Sequence, residues 1–163
     1  MDDAPALAPA SPTTAAVAAV HARRNRVRAA RLLALYGVAL ALIAFWPEPV
    51  DRGASGVLRG VTRAVPWLTY DVIETTSNVL LFVPLGVLLA FVIPRQRGLI
   101  VPLALATTLV IETGQALFLA ARTPSLRDVI ANVLGATIGL ALVWLRERRQ
   151  ARSVSAAQGR PMP

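Results

Sequence analysis

The chain has 163 residues, 55% of them hydrophobic, with a mean hydropathy of +0.57 and a formal charge of +8. It has no cysteine, which excludes disulfides and thiolate metal sites, and its single histidine, His21, has no second histidine or cysteine beside it with which to share a metal. All the basic residues are arginines, and they stand at the ends of long apolar runs, which points to membrane topology and away from nucleic acid.

Residues 1–28 read as a disordered basic arm, rich in Ala, Pro, Thr and Ser and ending in Arg23, Arg24, Arg26 and Arg28. A first span follows over about residues 29–46, just long enough to cross with Arg31 snorkelling. The acidic start at Asp2 and Asp3 and the lack of a clear cleavage site favour a retained helix over a signal peptide. Residues 47–70 carry prolines, glycines and mixed charge and predict a loop, with a short interfacial helix around Val57–Trp67. Trp46, Trp67 and Tyr70 suit an interfacial belt.

The second span covers about 72–93, and Pro84 inside it should kink the helix and free the carbonyl near Leu80. A tight turn at 94–98 leads to a third span over about 99–121, and a short basic loop leads to a fourth over about 126–145. Residues 147–163 read as a disordered tail. The expected fold is therefore an all-α integral membrane domain over 29–146, a bundle of four transmembrane helices.

Twelve of the 17 arginines lie in the N-terminal arm, the 94–98 turn and the C-terminal tail, counting Arg31 and Arg146 at the adjoining span ends. That bias predicts both termini in the cytoplasm, N-in and C-in, with four spans between them. Spans two and four then run inward and span three runs outward. At about 1.5 Å per residue, Asn78, Gln115 and Asn132 each lie roughly 9 Å below the outer end, with Glu112 at roughly 13 Å. Glu74 and Asp128 sit near the outer mouth, with Arg122 and Arg127 in or beside the loop above.

These positions admit two readings. A charge at mid-helix raises the insertion free energy by roughly 2.5–3.5 kcal/mol, so polar groups here are either functional or interhelical glue. Glue is the simpler reading for each amide, whereas Glu112 is a costly form of glue. Glu112, Gln115, Asn78, Asn132, Asp128, Arg122, Arg127 and Glu74 are the candidates for an outward polar site. Guanidiniums beside a carboxyl suit an anionic, phosphate-bearing head group. Asp128 can equally serve the positive end of the fourth helix. Gly135 and Gly139 make a small-xxx-small packing face, and Pro84 and Gly86 read as a kink.

The stretch Glu112–Gly139 resembles the signature of the VanZ-like family, E-x2-Q-x6-R-x5-D-x3-N-x2-G-x3-G. Residues 77–86 resemble its second motif, N-x3-F-x-P-x-G, here Asn78, Phe82, Pro84 and Gly86. The likeness covers about residues 72–145. It implies a small bacterial integral membrane protein with a role in the cell envelope, since the family's namesake is associated with lowered susceptibility to teicoplanin.

Three functions follow as expectations. The first is a non-catalytic protein that binds an envelope lipid or a lipid-tailed ligand at the outer polar site. The second is an enzyme on a lipid-linked phosphate or glycan, with Glu112 or Asp128 as acid/base. The third is an accessory subunit of a transporter or envelope assembly. The expected partners are the bilayer and an envelope lipid or lipid-linked precursor, without nucleic acid, metal or cofactor, and the sequence leaves the oligomeric state open.

Overall fold

The computed structural model describes residues 12–46, 69–119 and 125–158, and among them it contains four α-helices, one 3-10 turn and no strand. Helix α1 spans Pro12–Ala44, α2 Tyr70–Val92, α3 Ile100–Phe118 and α4 Leu126–Gln158. The 3-10 segment Arg97–Leu99 leads into α3. Every one of the four is long and apolar enough to cross a membrane. Their outer faces agree, because Leu35, Leu80, Val110 and Leu117 are exposed with no polar neighbour needed in lipid. The interfacial helix expected at Val57–Trp67 and the position of Arg122 lie outside the described residues.

Two boundaries correct the sequence expectation. The arm expected to be disordered through residue 28 is helical from Pro12, and the tail expected to be disordered from residue 147 is helical to Gln158. Composition misleads here because Ala and Arg are strong helix formers even in a polar stretch. A helix already formed by the adjoining span also elongates without a new nucleus. The third helix is shorter than expected and ends at Phe118, where the Leu119 N–H donates to Gln115 O.

The direction of each helix follows from its partners. Gly135 meets Val79 and Phe82, while Gly139 meets Val83 and Val87, so α2 and α4 run parallel. Asn132 bonds Thr108 and Glu147 bonds Arg97, so α3 runs antiparallel to α4. Gln115 reaches Ala44 O, which sets the C-terminal end of α1 beside that of α3. The largest interface is α2 against α4. It is close because Gly86, Gly135 and Gly139 are all buried there, and a Cβ on any of them would run into a backbone carbonyl of the facing helix. Phe82, Leu85, Leu89, Ala90, Ile100, Ala104, Ala136 and Val143 fill the core around that seam.

Thr69 caps α2, its hydroxyl accepting from the Val72 N–H at 3.4 Å. Pro84 lies inside α2, and the helix is continuous from Tyr70 to Val92 around it. A proline at 84 supplies no donor to Leu80 O. At the next carbonyl, Leu81 O, the Tyr36 hydroxyl of α1 donates a hydrogen bond. Sequence reading passed over Tyr36, which ties the first span to the proline-containing turn.

Candidate functional site

One stripe of α3 carries the site. Ile100, Ala104, Thr108, Glu112 and Gln115 are all buried, and their three- and four-residue spacing keeps them on a single face. The stripe is apolar where α3 begins and polar where it ends. On α4 the matching stripe is Asp128, half-buried, then Asn132, Gly135 and Gly139. The polar halves of the two stripes meet because the helices are antiparallel and joined by a short connection.

Glu112 is only 7% exposed, and its Oε2 accepts the backbone N–H of Ser125 at 3.0 Å. Ser125 also starts α4, since its backbone carbonyl and hydroxyl accept from the Asp128 N–H at 3.1 and 3.4 Å. Thus one serine connects Glu112 to the first turn that carries Asp128. One turn below Glu112, the Thr108 hydroxyl accepts from Asn132 Nδ2 at 2.8 Å, with both residues buried. Asn132 Oδ1 and Asp128 Oδ1 are buried acceptors without a hydrogen-bond partner. Such an orphan is rare in native structures, because a buried polar group without a partner costs roughly 2–7 kcal/mol.

The remaining candidates are disposed differently. Gln115 Nε2 donates to Ala44 O at 2.8 Å, so this amide joins α3 to α1 instead of facing the other two. Asn78 is half-buried on α2. Arg127 forms 3.0 Å ion pairs with Asp71 and with Glu74, clasping the start of α4 to the start of α2. A guanidinium held by two carboxylates has little positive charge left for an anionic head group. Glu74 belongs to this clasp. Among the described residues no group of three or more His, Cys, Asp or Glu side chains could hold a metal ion.

Sequence reading missed Thr108, Ser125 and Asp71. Thr108 could have been found as the residue one turn before Glu112 on the same face. Ser125-Leu-Arg-Asp128 has the spacing of a helix-start signature, which would have singled out the serine. Asp71 had no such signal, because its value lies in the distant Arg127.

A family model described as VanZ/LLP1 matches residues 33–147. No curated protein and no solved structure matches the chain.

Proposed function

The chain belongs to the VanZ-like family, and we propose that it is a non-catalytic protein of the bacterial cytoplasmic membrane that binds the head group of an envelope lipid or lipid-tailed ligand. The observation that carries this reading is the pair of buried acceptors without a partner, Asp128 Oδ1 and Asn132 Oδ1, on the helix that follows buried Glu112. A head group bearing hydroxyl or ammonium donors would satisfy both orphans. The arginine bias supports an N-in, C-in orientation, and with it the site opens toward the outer leaflet. The association of the family's namesake with teicoplanin, a lipid-tailed glycopeptide, makes glycopeptide susceptibility the cellular readout.

The test is a growth-inhibition assay in a deletion strain carrying wild type, Glu112→Gln or Asn132→Leu at matched membrane expression. Wild type alone is expected to restore susceptibility to its original level, and chiefly for teicoplanin compared with vancomycin. Equal restoration by all three would make these side chains packing groups and end the binding-site reading. Turnover of a lipid-linked substrate by purified protein, lost in Glu112→Gln, would replace binding with catalysis.

A further inference from the structure

A second feature lies at the opposite end of the bundle. A shallow, open groove lies between exposed side chains of α1 alone, those of Val20, Arg23, Arg24, Val27, Arg28 and Arg31. At 100° per residue these six positions share one side of the helix, and Arg26 falls on the other. On that side four guanidiniums surround two valines.

Two further facts bear on what fills it. Helix α1 contains no Asp or Glu from Pro12 to Ala44, so Arg24 and Arg28, four residues apart, repel each other with no carboxylate on their own helix to offset them. Glu147, an acid at this end of the bundle, is held by Arg97 in a two-pronged pair at 2.6 and 2.7 Å. The groove also lies where α1 leaves the apolar span, since Arg31 adjoins Leu32. From Arg31 back to Arg23 the helix rises about 12 Å, so the arginines start inside the head-group layer, roughly 5–8 Å deep per leaflet, and continue just beyond it.

We propose that this groove binds the phosphodiester head groups of anionic phospholipids in the leaflet from which α1 emerges. The guanidiniums pair with phosphate oxygens in two-pronged fashion. Bound phosphate also relieves the arginine repulsion along this face. This site is independent of the outer polar cluster and does not rest on its function.

The test uses the full chain in detergent, titrated with short-chain phosphatidylglycerol, phosphatidylcholine or inorganic phosphate and read by native mass spectrometry. Phosphatidylglycerol is expected to bind saturably where phosphatidylcholine does not. The double variant Arg24→Gln/Arg28→Gln should weaken that Kd about 25-fold, at about fivefold per arginine. The control Arg26→Gln/Arg149→Gln removes the same charge from outside the groove and should leave Kd unchanged. Equal weakening by both doubles would reduce the effect to net charge and overturn the site. Competition by inorganic phosphate as effective as by the lipid would overturn the lipid assignment.

Discussion

Gly135 is one of three glycines at which the bundle has little freedom. A methyl group there would meet the Val79 carbonyl oxygen and press on Phe82 Cβ, both on the neighbouring helix. Backbone cannot move aside as a flexible side chain can, so Gly135→Ala should lower stability by about 1–3 kcal/mol. Gly98 has open space where a methyl group would stand, with nothing within 4 Å, and Gly98→Ala should leave the midpoint of thermal unfolding in detergent nearly unchanged. A comparison of the two variants separates close packing from a general intolerance of substitution. The spacing of Gly135 and Gly139 marks a small-residue face in the sequence. That Gly86 lies across from Ala136 is a fact about two segments fifty residues apart. The same holds for Glu112, whose acid is visible in the sequence and whose Ser125 partner is not.

At the scale of elements, ion pairs fasten α4 to its neighbours at both ends. Arg127 joins the start of α4 to Asp71 and Glu74 of α2, and Arg97 joins the α2–α3 turn to Glu147. Both clasps are partly exposed, so each contributes modestly, and their role is to hold register along a seam that glycines make smooth. Reversing one charge of the second clasp, Arg97→Glu or Glu147→Arg, should lower stability by about 0.2–1 kcal/mol, with the double reversal regaining most of it. A double-mutant cycle in detergent at low and high salt checks this, since screening should shrink the coupling. Regaining nothing in the double variant would mean that the pair adds no stability beyond its separate side chains. The basic tail also shows why composition failed for this element. Arginine-rich sequence with few large apolar residues reads as disorder, yet it forms a helix where it continues a span.

For the whole molecule, α1 and α4 are each 33 residues, or about 50 Å by the helical rise, against a bilayer core of about 30 Å. Both must project, and both project at the end that holds the α2–α3 turn. Labelling in intact cells tests which side that is, and the absence of native cysteine leaves no background. Thr69→Cys should react with a membrane-impermeant maleimide from outside, whereas Ser153→Cys should react only after permeabilisation. Reaction of Ser153→Cys from outside would reverse the orientation and turn the polar cluster toward the cytoplasm. The sequence by itself determined the number of spans, the family and the motif-borne polar residues, because hydropathy and motif spacing are local properties of the chain. Only the tertiary structure decided which of those residues meet. Polar groups in lipid must find partners, and the candidates lie on several helices at similar depth. Packing, set by the glycine seam and the antiparallel α3, assigned Gln115 to α1, Arg127 to α2 and Asn132 to Thr108, and left Asp128 and Asn132 each with an unpartnered oxygen.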